Sequence, residues 1–170
     1  MATIIFKMQE TDIFVDLPQY NLNHYERDML LQSQRSAAYA ERKVKRYDGN
    51  LIAVSPKVPN WVFEKFELPF KYKLSYLFLK NKGLQTKHTD VFRQCSLTLL
   101  LNSVQANTDF YENDNIVATL FHNGNTFLQN NQVHHFVEPT NYWRYFFQIS
   151  FKQPFAEMKE KLKGEHYKKN

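Results

Sequence analysis

The sequence predicts a mainly β domain, a sandwich or barrel with a few supporting helices. Three observations carry this. From Trp61 onward, short apolar and aromatic runs recur: "KYKLSYLFLKNKG", "QCSLTLLLN", "TDFYEND", "IVATLFHNGN", "TFLQNN" and "WRYFFQISF". Turn-type clusters, "KNKG", "NSVQAN", "ENDN" and "HNGN", separate them, and several short strands punctuated in this way suggest packed or closed sheets. The material for a core is also ample. Of 170 residues, 43% are apolar and 16% aromatic, with only four Gly and six Pro, a balance that argues against disorder or low complexity.

The elements follow in order. Residues 3–16, "TIIFKMQETDIFVD", read as one or two short strands split by the polar "QET". In "NLNHYERDMLLQSQRSAAYAERKVKRYDG" the less polar positions Leu22, Tyr25, Met29, Ser33, Ala37, Ala40 and Val44 keep helical spacing. Asn21 or Asn23 can cap this helix and Gly49 can end it. His24, at its start, reads as a surface residue rather than a ligand. After the strand runs, "PFAEMKEKLKG" predicts a short helix with Phe155, Met158 and Leu162 facing inward. There is no internal repeat and no linker. The expected organisation is one domain over 1–170: helical and mixed support over 1–59, a β core over 60–152, and a short helix with a basic tail over 153–170.

Charge and cysteine usage bound the partners. The formal net charge is +5 and the pI about 9.2. Much of the excess lies in "KEKLKGEHYKKN", which reads as a solvated terminus. The charge permits an acidic peptide, a nucleotide or a nucleic acid, but no arginine-rich stripe or nucleic-acid-reading module supports the last. Cys95 is the only cysteine. A disulfide within the chain and a paired-cysteine zinc site are therefore excluded, and a reducing compartment suits the sequence. The apolar run in "MATIIFKMQETD" is too short for a signal peptide, and no segment is long enough to span a bilayer. A cytoplasmic protein without a membrane partner is expected.

The chemistry-bearing residues begin at "KHTDVFRQ". In a strand, His88 and Asp90 would point to one face and aim a nitrogen and an oxygen at one place. Alone, a His-x-Asp triplet arises often by chance. A third ligand is available in "NNQVHHFVEP", which carries His134 and His135. Two histidines and a carboxylate on one side of a metal leave other positions open, an arrangement suited to non-heme Fe(II) oxygen chemistry with a chelating cosubstrate. A chelating keto acid needs its remote carboxylate held. Arg144 follows His135 by nine residues in "WRYFFQISF", and a guanidinium fork matches a carboxylate bidentately. Read alone, Arg144 pairs with a protein carboxylate or points out of an edge strand. Its place after a candidate ligand favours the cosubstrate role. His122 in "FHNGN" reads as a turn residue, Arg93 and Glu112 as supporting or surface groups, and Cys95 as a small buried hydrophobe.

On "KHTDVFRQ", "VHHFV" and "WRYFFQISF", the chain resembles the 2-oxoglutarate/Fe(II)-dependent oxygenases, in the layout of the prolyl-hydroxylase-like and compact phage-type members. The resemblance covers roughly residues 60–152 and is specific in the order and spacing of its parts together. It implies a double-stranded β-helix, or jelly roll, with a helical buttress. It implies Fe(II) held by His88, Asp90 and His135, and 2-oxoglutarate held by Arg144 with an assisting tyrosine. Tyr76 is the first choice for that tyrosine and Tyr72 the next, a core tyrosine being an equal reading of either. His135 fits the ligand position better than His134, which as its strand neighbour would face the other way. Phe146, two residues after Arg144, stands where many members have Ser or Thr.

The implied activity is oxidation of an unactivated C–H bond, most often hydroxylation, with release of succinate and CO2. A peptidyl or prolyl substrate is the family-level expectation. The second arginine typical of the nucleic-acid demethylases is absent, Arg144 being the last arginine in the chain. The alternative is a non-catalytic jelly-roll module that retains a residual metal site.

Overall fold

The computed structural model describes residues 9–40, 45–47, 51–54, 59–66, 73–81 and 86–164, with 35–40, 45–47, 51–54, 73–81 and 106 as backbone only. The start of the first expected strand, Tyr72 and the end of the basic tail lie outside these residues. Ten strands are described: β1 Phe14–Asp16, β2 Lys45–Tyr47, β3 Leu51–Val54, β4 Lys73–Asn81, β5 Cys95–Leu100, β6 Ala106–Glu112, β7 Asn115–His122, β8 Thr126–Asn130, β9 His134–Val137 and β10 Arg144–Phe151. Three helices accompany them: α1 His24–Ala40, α2 Asn60–Lys65 and α3 Phe155–Gly164. A seven-stranded sheet runs β1-β8-β5-β10-β4-β3-β2, and a three-stranded sheet runs β7-β6-β9. The named pairs are antiparallel throughout. The architecture is the jelly roll.

Alternation along β5 and β10 explains how the layers form. Leu97, Leu99, Phe147, Ile149 and Phe151 turn to one face of the large sheet. There they join Leu30 of α1, Val62 of α2, and Phe155, Met158 and Leu162 of α3 in one buried cluster. The opposite face looks toward the small sheet. Phe127 of β8 meets Phe110, Ala118 and Leu120 of β6 and β7 there, in a second cluster. With both faces covered, all six residues of β5 are buried, which is why its sequence reads as a nearly continuous apolar run. The inner face is not uniformly apolar. Ser96, Thr98, Gln148 and Ser150 are all buried on it, and this polar strip underlies the candidate site.

Local chemistry sets the ends of the elements. Asn23 caps α1: its Oδ1 accepts from the Glu26 amide at 2.9 Å, while Glu26 accepts from the Asn23 amide at 2.9 Å, the reciprocal capping box. Asn113 and Asp114 join β6 to β7 with φ of 49° and 68°, the left-handed pair that matches strand twist in a two-residue hairpin. Gly124, at φ 91°, turns the chain after β7, and a side chain there would also meet the Arg27 guanidinium.

Two expectations change. The described first helix runs to Ala40, and Lys45–Tyr47 is a strand paired with Leu51–Val54, while Gly49, expected to close the helix, lies outside the described residues. Pairing at the sheet edge outweighs weak helical periodicity. The N-terminal third also does more than buttress, because β1, β2 and β3 all join the large sheet. Met158 and Leu162 are fully buried and Phe155 nearly so, as the terminal helix pattern predicted. No helix among the described residues is long and apolar enough to cross a membrane.

Leu99→Ala should destabilise the fold by about 2–5 kcal/mol, the usual range for emptying a packed core site. Phe92→Ala, at a side chain 86% exposed, should change stability by no more than about 0.5 kcal/mol. Paired denaturant melts check both values.

Candidate metal and anion site

His88, Asp90 and His135 offer ligand atoms that all lie within 4.8 Å of one another. The chain brings them together differently from the expected strand face. His88 and Asp90 precede β5 on an irregular segment. His88 is tied to β9 by a two-way backbone bridge, with N–H to His135 O at 3.1 Å and His135 N–H to His88 O at 2.9 Å. The Asp90 amide donates to Asn131 O at 3.0 Å. Main-chain bonds therefore hold both residues of the triplet against the turn and strand that carry the third.

The two rings are oriented alike. His88 Nδ1 lies 2.7 Å from Thr86 O, and His135 Nδ1 lies 2.9 Å from Val133 O. A carbonyl can only accept, so each Nδ1 carries the proton and each Nε2 keeps a lone pair for a metal. The ring centroids are 4.5 Å apart. His135 is buried, and burial first of all drives its pKa down to about 4, opposed by its bond to Val133 and by Asp90. A neutral ring is the form that binds a metal.

Asp90 is held as a carboxylate. Burial pushes its pKa up, but the Arg93 guanidinium and then His135 outweigh burial and leave it below the ordinary value. Its Oδ2 accepts from Arg93 Nε at 2.9 Å and from Asn131 Nδ2 at 2.6 Å, leaving Oδ1 without a hydrogen bond among the described residues. The supports are themselves supported. Arg93 Nη1 donates to Gln148 Oε1 at 2.7 Å, Ser96 Oγ to Asn131 Oδ1 at 2.8 Å, and Gln148 Nε2 to Thr98 Oγ1 at 3.2 Å. The polar strip of the large sheet thus ends on one carboxylate oxygen.

Arg144 opens β10 on the same inner face as Gln148 and is fully buried. Nη2 donates to Glu138 O at 2.9 Å, while Nε and Nη1 have no partner, and no carboxylate pairs with the group among the described residues. Burial lowers its pKa to about 10, with Glu138 opposing, so it stays charged at neutral pH. A buried cation with free donors fits a carboxylate brought by a ligand. The two-histidine, one-carboxylate set fits a divalent iron with open positions.

The other sequence candidates sort as follows. His134 is exposed on the opposite side of β9 from His135. Tyr76 lies in β4 opposite Ile149, and its side chain is outside the described atoms. His24 is exposed and pairs with Asp28 at 3.2 Å. Cys95 is buried, its thiol pushed up to about 12 by burial and Glu157, which makes it inert. His122 corrects the turn reading: it is the last residue of β7 and is buried. The period-2 alternation of "NIVATLFH" carried that information, because His122 follows Ala118 and Leu120 on the inner face. Asn131 and Gln148 were missed, since an isolated amide gives no signal until the sheets place it.

No family model matches the sequence, and no curated protein matches it significantly. Among solved structures, the chain is similar to the crystal structure of a Pseudomonas putida prolyl-4-hydroxylase. The TM-score is 0.51 and the identity 13%, and the match covers 82% of this chain and 92% of that one. At that identity the likeness shows a shared fold.

Asn131→Ala should weaken Mn(II) binding by about 10–100-fold, the usual effect of removing a group that orients a ligand, with calorimetry as the measurement. Stability should also depend on acid. His122 and His135 are held neutral, with pKa values of about 3 and about 4 against an ordinary 6.5. The unfolded chain takes up their protons first, so stability falls as pH drops from about 6.5 toward 4. The lowered Asp90 pKa adds a further loss at still lower pH. Denaturant midpoints that stay level from pH 7.5 to 5 would show that the two rings are not held neutral.

Proposed function

We propose that the chain is a single-domain, non-heme Fe(II)- and 2-oxoglutarate-dependent dioxygenase that hydroxylates its substrate. The observation that carries this is the occurrence of two unlike features in the interior between the two sheets. One is a His88–Asp90–His135 group of metal-ligand type. The other is a buried Arg144 with two unpartnered donors. A ligand that chelates a metal at one end and carries a carboxylate at the other satisfies both, and 2-oxoglutarate has that form.

His88 and His135 would hold the iron through Nε2, and Asp90 through its carboxylate, with Arg93 and Asn131 fixing the carboxylate plane through Oδ2. Arg144 would anchor the distal carboxylate and so set which way the keto acid lies. The apolar walls, Phe110 and Phe146 among them, exclude water around it. When bound, the iron and keto acid supply the oxidising chemistry: one oxygen atom of O2 goes to the substrate C–H and the other to succinate, with loss of CO2. The substrate class remains a peptide, small molecule or nucleotide, and the prolyl-4-hydroxylase likeness supports a peptidyl substrate first. A cytoplasmic setting is inferred from the single cysteine, which suits a reducing compartment.

One observation favours a second reading, a jelly-roll binding module with a residual site. Arg93 gives Asp90 a counter-charge of its own at 2.9 Å, so the carboxylate is stable without a metal. Succinate formation separates the two.

Arg144→Ala should weaken 2-oxoglutarate binding about 30- to several-thousand-fold, as losing one partner of a buried charge pair usually does, and leave Mn(II) affinity near wild type. Wild-type protein with Fe(II), 2-oxoglutarate and O2 should form succinate above a heat-killed control, more so when a candidate peptide is oxidised. Unchanged 2-oxoglutarate affinity in the variant would remove Arg144 from the site. Metal binding without any 2-oxoglutarate binding would favour the binding module.

A further inference from the structure

His122 is a buried histidine that the metal centre does not use. It lies on β7 in the small sheet, across the interior from Arg144 on β10 in the large one. Phe146 is the wall they share. The His122 ring stands edge-on to Phe146 at 5.0 Å, and the Arg144 guanidinium carbon sits 5.9 Å from the same ring. Phe127 braces the other side of His122 at 6.2 Å. The imidazole is therefore fixed in place, and its Nε2 is engaged by Thr108 Oγ1 at 3.1 Å. Its Nδ1 is buried and has no partner.

Three orphaned nitrogens thus occur around one aromatic ring: His122 Nδ1, Arg144 Nε and Arg144 Nη1. Buried polar atoms are rarely left unpaired, and each such case asks for an explanation. The two residues do not satisfy each other, although a lone pair on Nδ1 could accept from the guanidinium. In the tautomer in which the Thr108 hydroxyl donates to Nε2, Nδ1 carries the proton and all three orphans are donors; this is the tautomer the pocket requires. Burial and the neighbouring Arg144 charge keep the ring neutral, so the group has one net positive charge. Several N–H donors with a single positive charge match a carboxylate better than a phosphate dianion.

We propose that His122 and Arg144 form one carboxylate pocket, in which the His122 Nδ1–H donates to the same distal carboxylate that Arg144 pairs with. This rests on the reading that a dicarboxylate keto acid binds. His122 is then a specificity residue for that ligand's far end, with Thr108 selecting the ring tautomer.

The test compares two keto acids on Mn(II)-loaded protein by calorimetry. 2-Oxoglutarate has the distal carboxylate and pyruvate lacks it, while both can chelate the metal. His122→Leu should weaken 2-oxoglutarate roughly 10- to 100-fold, as expected for a lost hydrogen bond to a charged group, and leave pyruvate and Mn(II) binding unchanged. His122→Asn, whose amide can replace the Nδ1 donor, should recover most of the loss. If His122→Leu does not fold, His122→Phe serves in its place. An unchanged 2-oxoglutarate affinity, or an equal loss for both keto acids, overturns the role of His122. Wild-type protein that binds Mn(II) but not 2-oxoglutarate instead overturns the oxygenase reading beneath it.

Discussion

A buried guanidinium with no carboxylate bonded to it among the described residues is the constraint on which the rest of the site depends. Arg144 is fully buried and bonded to one backbone carbonyl, and its Nε and Nη1 have no hydrogen-bond partner among the described residues. Transferring such an ion out of water costs several kcal/mol even after relaxation. The fold tolerates that cost because both sheets and the helical layer bury enough apolar surface around it. Phe146 and Phe147 lie beside it on β10, and the large cluster packs behind. A cation kept in the interior with free donors would suit an anion supplied by a ligand.

The metal-type group is organised by a different means. Its histidines are positioned by main-chain bonds between the segment before β5 and strand β9, and the rings are turned by carbonyls onto Nδ1. Its carboxylate is restrained by a relay of side chains, Ser96 to Asn131 and Thr98 through Gln148 to Arg93, that ends on Oδ2. The preorganised part is thus the polar strip of the large sheet. Arg93 plays two opposed parts. It keeps Asp90 ionised, which favours a metal, and it neutralises the same charge, which weakens the attraction. A metal bound there would have to compete with that ion pair, while Arg93 also keeps its bonds to Gln148 and Ser150.

Much of this was legible in the sequence, for identifiable reasons. Strands β4 to β8 and β10 announced themselves because apolar runs and turn residues alternate there, and the terminal helix because Phe155, Met158 and Leu162 repeat at helical spacing. His88, Asp90, His135 and Arg144 stood out by their order and spacing together, the pattern on which the family resemblance rests. The error at residues 45–47 arose because "RKVKRY" has no strong local preference, and an edge pairing with β3 decided it. His122 was misread because its neighbours "NGN" signal a turn, while the alternation that buries it extends back through the strand. Asn131 and Gln148 could not be found, since their roles come from contacts across three elements. The geometry of His88 and Asp90 was reached by another route than the one foreseen: a backbone bridge rather than a shared strand face.

The most direct measurement is a crystal structure of the protein with Mn(II) and 2-oxoglutarate. The expected result is one metal at about 2.0–2.2 Å from His88, Asp90 and His135, the range for such ligands on a divalent first-row ion. The keto acid should chelate it and extend its far carboxylate to Arg144. A metal bound by His134 in place of His135, or a 2-oxoglutarate whose distal carboxylate lies away from Arg144, would contradict it.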